Sequence, residues 1–287
     1  MKDAPQRSFA SRFSVEATRP SAAEIEQLAG ILPAGTEIYI TAVPKLTADE
    51  LVQAAGGLRR MGLEPVVHLA ARVLPDAETL RDVLGRLTAE AQVRRVLVIG
   101  GDAAQCGPFP DALSIIQRGG LREAGIEEIG IGAYPEGHPK IPPERLEAAL
   151  DAKIAAAVAQ GLAVNIVSQF SFSPERIVAW LKHLRACGIS QPVKVGIVGP
   201  TSINGLIRFA RRCGVAVSLR GLASGSAGAL IGHIGPDRIL ETLSAAEGIG
   251  DAAPHYFSFG GAVETARYAC AVAERTRQSA HAMAHSE

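Results

Sequence analysis

Short runs rich in β-branched residues alternate with longer stretches of Ala, Leu, Glu and Arg along the whole chain. The runs fall at 13–17, 38–43, 65–71, 95–101, 128–134, 163–169, 193–199 and 255–261, and each has the length of a buried strand. The stretches between them space their apolar residues as helices do: Ser21–Ala29, Thr47–Met61, Asp76–Glu90, Pro143–Gln160, Ser173–Cys187, Ile203–Cys213 and Ala262–Gln278. Ser21 is placed to cap the first of them. Strands separated by helix-length connections pair in parallel. Eight such units predict an α/β fold closed into a (β/α)8 TIM barrel, a single domain over 13–278 with tails at 1–12 and 279–287. An open doubly wound sheet is the alternative, but no G-x-G-x-x-G follows the first run. The beat fails once, between Val217 and Gly250, where a Gly- and Ser-rich segment and a helical stretch predict an enlarged connection before strand eight.

Composition narrows the classes. The chain has 287 residues, 47% hydrophobic, with 29 basic and 29 acidic side chains. That balance argues against a nucleic-acid partner, since no basic excess exists to displace counterions from phosphates. Local clusters such as Arg94-Arg95 and Arg208-Arg211-Arg212 read as solvated helix faces or as an edge for an anionic ligand. Cys106, Cys187, Cys213 and Cys270 lack zinc-site spacing and read as free thiols of a reducing compartment. The first 12 residues have no apolar core of a signal peptide, and no run of about 18 apolar residues predicts a membrane span. A cytoplasmic protein without a membrane or metal is expected, and a homo-oligomer is compatible with it.

Polar residues stand where the predicted strands end, which is where a barrel builds its site. They are Glu16, Thr41, His68, Asp102, Tyr134 and Gln169, on runs one to six in order. Glu16 lies in Phe13-Ser-Val-Glu-Ala, an otherwise apolar strand. Burial there disfavours the carboxylate and suits a general acid, although a structural carboxyl paired with an arginine fits the same segment. Asp102 follows Gly100-Gly101, which lets a ligand approach the backbone; a turn closed by the Asp side chain is the other reading. His68 fits a hydrogen-bonded core histidine or a ligand contact. The segment Tyr134-Pro-Glu-Gly-His-Pro139 predicts a stiff loop presenting Tyr134 and His138. Gln169 can both donate to and accept from a planar heterocycle. Phe209 and Trp180 lie on helical stretches and read as core.

Ala133-Tyr-Pro-Glu-Gly-His-Pro139 and Ser168-Gln-Phe-Ser-Phe172, with the order of the other strand-end residues, resemble the methylenetetrahydrofolate reductase family over roughly 13–261. The resemblance implies reduction of 5,10-methylenetetrahydrofolate to 5-methyltetrahydrofolate, with NADH or NADPH reducing bound FAD first. By its motifs, Glu16 is the acid that protonates N10, and Asp102 is the acid beside flavin and pterin. Gln169 matches the amide that recognises the pterin, and Phe209 matches an aromatic that packs on the folate or nicotinamide. Thr41, His68, Gly101, Ala133, Tyr134, His138 and Lys153 become flavin contacts, with Asp102 beside them; the Lys153 match needs an extra turn in the following helix.

The sequence departs from the family in ways that thin the cofactor contacts. The opening motif is reduced to Val15-Glu-Ala-Thr-Arg-Pro20, an arginine usual before Gly-Asp is Gly100, the loop after Asp102 is short, and a second arginine is lost around Gly261. Each lost charge-assisted contact costs about 1.5–3 kcal/mol, so weak FAD binding is expected. Two alternatives follow: a reductase that passes hydride without tightly bound flavin, and a non-redox folate-binding barrel serving a methyltransferase or demethylase. No ribose-recognition motif separates NADH from NADPH.

Overall fold

The computed structural model describes residues 9–41, 47–202 and 236–284, the side chains only as far as Gln278. Eight parallel strands close into a barrel in chain order, the last pairing with the first. They are β1 (Ser14–Ala17), β2 (Glu37–Ile40), β3 (Glu64–Ala70), β4 (Arg95–Ile99), β5 (Glu128–Ala133), β6 (Ala163–Ser168), β7 (Val193–Val198) and β8 (Ala252–Phe257). Eight α-helices lie among the described residues. Six follow the first six strands: α1 (Ala22–Ile31), α2 (Ala48–Arg60), α3 (Ala77–Glu90), α4 (Ala112–Arg118), α5 (Pro143–Ala159) and α6 (Pro174–Ala186). The others are α7 (Pro236–Ser244) and α8 (Ala262–Ala284). The barrel expected from the alternating pattern is therefore present. Phe9–Ser11, drawn into the amino-terminal tail by the pattern, forms a 3-10 turn with Phe9 and Ala10 buried, and α8 runs on to Ala284. The helix expected at Ile203–Cys213 and most of the enlarged connection lie outside the described residues.

Helix caps show why the connections start where they do. Ser21, Thr47, Asp76, Asp111 and Ser173 each accept a backbone N–H of the first turn, and Ser21 with Glu24 and Thr47 with Glu50 complete reciprocal capping boxes. On α3 the buried positions Leu80, Leu84 and Leu87 recur at helical spacing and face the barrel. Each contributes about 1.5–3 kcal/mol by leaving water.

The barrel interior is layered, because alternate residues of every strand point inward. Its amino-terminal end is an ionic layer. Arg95 Nε donates to Glu128 at 2.8 Å, Asn165 donates to the other oxygen of Glu128 at 2.7 Å, and Lys194 pairs with Glu37. Arg59 of α2 grips Glu64 with two bonds of 2.6 Å. Arg94 lies 3.8 Å from Glu127, so the Arg94-Arg95 pair is neutralised within the protein. Above this layer sit Tyr39, Val66, Leu97 and Val167. Gly130 completes the layer by omission: a Cβ there would stand 3.0 Å from Leu97 and 3.2 Å from Val167. Glu16, His68 and His255 come next, towards the carboxyl ends of the strands.

Candidate active site

Glu16 sits on β1 with 8% of its surface exposed. Burial raises its carboxyl from 4.5 to about 7, partly opposed by His68. Its Oε1 lies 3.4 Å from His255 Nε2 and 3.8 Å from His68 Nε2. Both imidazoles are held neutral by desolvation, His68 near 4 and His255 near 3, so neither offers the carboxylate a full counter-charge. The ionic partners of Glu16 among the described residues are these two histidines, and no arginine is among them. What remains is an acid that carries its proton close to neutrality.

The rest of the support comes from β1, β2 and β8. Ser14 Oγ bonds His255 Nδ1 at 2.8 Å, and the ring of Tyr39 meets the His255 ring edge-on at 4.5 Å. The Tyr39 hydroxyl and His68 Nε2 are buried without a hydrogen-bond partner among the described residues. Ser258, just past β8, donates to the Glu16 carbonyl and fixes the strand end.

A second group gathers at the lip. Asp102 is exposed, and its carboxylate makes no hydrogen bond or ion pair among the described residues. Burial raises the Tyr134 phenol, the Asp102 charge raises it further, and Arg72 opposes both, so these three share one corner. The loop bearing Asp102 is pinned by Arg72, in the 3-10 turn after β3. Its Nε donates to the Pro110 carbonyl at 3.0 Å and its Nη1 to that of Gly101 at 3.3 Å. Its backbone bonds Gly100 and Cys106. Gly101 holds a φ of +84°, a conformation that glycine adopts without strain.

The two motifs that carry the family resemblance touch each other. Gln169 N donates to the Ala133 carbonyl at 2.8 Å, and Ser171 Oγ donates to Glu136 Oε1. Tyr134 and His138 pack edge-on at 5.1 Å. Gln169 Oε1 accepts from the Phe170 amide at 3.0 Å, which leaves its Nε2 without a protein partner among the described residues.

The expected residues thus divide between two levels. Glu16 and His68 lie together inside the barrel. Thr41, which donates to Thr18 at 2.9 Å, lies at the strand ends with Gly101, Asp102, Ala133, Tyr134, His138 and Gln169. Lys153 reaches from α5 to the Gly132 carbonyl at 2.9 Å, and burial lowers its ammonium to about 8. Phe209 lies outside the described residues. Sequence reasoning missed Ser14, Tyr39, His255, Arg72 and Phe257, whose ring packs edge-on against His255 at 5.4 Å. Ser14 was findable by parity, since it stands two residues before Glu16 on the same face of β1.

A (β/α)8 barrel with a neutral-pH acid inside it and polar groups at its carboxyl-terminal mouth has the construction of an enzyme site. The family described as methylenetetrahydrofolate reductase matches residues 22–220. The chain belongs to that family. A 5,10-methylenetetrahydrofolate reductase from Pectobacterium carotovorum subsp. carotovorum is 29% identical over 159 residues, 55% of this chain and 51% of the relative. The chain therefore matches about half the length of that curated relative. Among solved structures, the 3-dehydroquinate dehydratase of Aquifex aeolicus VF5 superposes with a TM-score of 0.51 at 9% identity, over 92% of this chain and 98% of that one, a likeness of fold alone.

Proposed function

We propose that this chain reduces 5,10-methylenetetrahydrofolate to 5-methyltetrahydrofolate with hydride from NAD(P)H by way of FAD. The observation that carries the reading is Glu16, an acid protonated near neutrality inside a barrel of this family. Its proton passes to N10 of the folate, the methylene–N10 bond opens, and hydride addition to the resulting cationic carbon completes the methyl group. Asp102, exposed at the lip, is placed to favour that positive charge. Gln169 presents its free Nε2 to the pterin.

Open space beside two glycines supports a place for a flat cofactor ring at the mouth. Apart from the chain neighbours, no atom of the described residues lies within 4 Å of where a Cβ would stand on Gly100 or Gly132. Thr41, Gly101, Asp102, Ala133, Tyr134 and His138 would hold FAD there, with His68 and Lys153 behind them. Bound FAD supplies hydride relay from the nicotinamide to the folate.

A second reading, direct hydride transfer without tightly held flavin, is favoured by the state of the nearby cations. Arg72 spends its guanidinium on two carbonyls and Lys153 its ammonium on a third. Each is tethered to backbone carbonyls, which restrains its reach towards a pyrophosphate while leaving N–H donors over.

Glu16→Gln tests the common core of both readings. Folate-dependent NADH oxidation should fall about 10²–10⁴-fold, the range for a lost general acid. NADH oxidation by an artificial acceptor in the presence of FAD should persist. An equal fall of both activities in a folded variant would remove Glu16 from the proton-donor role.

A further inference from the structure

A buried general acid must be hydrogen-bonded in two opposite ways during one cycle. Protonated, its O–H needs an acceptor; ionised, its oxygen needs a donor. A fixed donor or a fixed acceptor satisfies only one state, and a buried group left unsatisfied is strongly disfavoured. The surroundings of Glu16 contain a group that can serve both.

His255 is fully buried, with Nε2 3.4 Å from Glu16 Oε1 and Nδ1 2.8 Å from Ser14 Oγ. Ser14 is itself 2% exposed, and its hydroxyl can either donate or accept by rotating. The other groups facing Glu16 are less suited. His68 from β3 stands 3.8 Å away, and among the described residues neither its Nε2 nor the hydroxyl of Tyr39 from β2 has a hydrogen-bond partner. Lys194 of β7 lies behind Tyr39, 5.3 Å from its ring centre, and is paired with Glu37.

We propose that Ser14 and His255 form a two-state support for Glu16, in which the neutral imidazole reverses its tautomer as the carboxyl gains or loses its proton. With Glu16 protonated, its O–H donates to Nε2 and the Nδ1–H donates to Ser14 Oγ. With Glu16 ionised, the Nε2–H donates to the carboxylate and the Ser14 hydroxyl turns to donate to Nδ1. The two states differ by one proton, the one that the acid delivers. His255 and Ser14 are positioning residues in this scheme, since neither touches substrate. Their part in turnover rests on the reading of Glu16 as proton donor, while the tautomer reversal itself does not.

The test is 15N NMR of the full chain labelled in histidine, with the His255 signals assigned by their loss in His255→Asn. Below the Glu16 transition at about 7, Nδ1 should carry the proton; above it, Nε2 should, with the ring neutral throughout. In Glu16→Gln the tautomer should stay fixed across the same range. In Ser14→Ala, Nδ1–H has lost its acceptor, so the proton should remain on Nε2 at both pH values. The Glu16 transition should then fall by about one unit, a tenfold change in its proton affinity, and the pH profile of folate turnover should move with it. A single tautomer on both sides of the transition in the wild-type chain, or an imidazolium at either end, overturns the proposal. Reversal without any folate turnover would defeat the proposed function and leave this inference standing.

Discussion

Replacing Glu16 by Gln should stabilise the protein above neutrality and change little in acid. The native carboxyl titrates at about 7 against an ordinary 4.5, and burial is the main cause. Because the raised value means the folded state holds the proton more tightly, stability is lost as pH rises from about 4.5 to about 7 and stays lost above that. At about 1.36 kcal/mol per unit, the rise makes the buried carboxylate cost about 3 kcal/mol at pH 8. Glutamine has nearly the same shape and no charge, so Glu16→Gln recovers that amount at pH 8 and almost none at pH 4. Urea denaturation at pH 4.5, 6 and 8 measures it, provided the m-values of the two proteins agree. A stability difference independent of pH would refute the burial argument. A variant less stable than the parent at pH 8 would also refute it, and would imply a cationic partner for Glu16.

Three further outcomes follow from the same geometry. In the Glu16→Gln background, stability should fall as pH drops from 6.5 towards 4, because His68 and His255 are neutral only while folded and the unfolded chain takes up protons there; urea midpoints read this directly. Gly107→Ala should cost about 1–3 kcal/mol and shift the Asp102 loop, since its Cβ would stand 2.2 Å from the Leu74 carbonyl oxygen; hydrogen exchange at Cys106 should accelerate. Glu136→Gln removes the charged acceptor of Ser171 and the Arg176 contact, and should cost about 1–2 kcal/mol of stability in urea while weakening folate binding in a titration.

Much of the barrel was legible because parallel strands buried on both faces read as continuous apolar runs, and β3 at 64–70 lies one residue from its expected place. β8 was read three residues late, since Ala252-Ala253-Pro254 has neither β-branched residues nor a donor at the proline. Pairing with β7 from Val193 to Val198 makes it a strand regardless. That slip put His255 at a strand start instead of inside the barrel. α4 went unread because seven residues between prolines and glycines show too little of a helical period. Glu16 was recognisable as an acid in an apolar strand. Its partner His255, 239 residues away, is brought to it only by closure of the barrel, which no local pattern encodes.

The most direct test of the central claim is formation of 5-methyltetrahydrofolate from 5,10-methylenetetrahydrofolate and NADH by the purified, dialysed protein, assayed with and without added FAD. The account predicts product equal to the NADH consumed, with the activity lost in Glu16→Gln. Bound folate with no product under either condition would contradict it and leave a folate-binding barrel in its place.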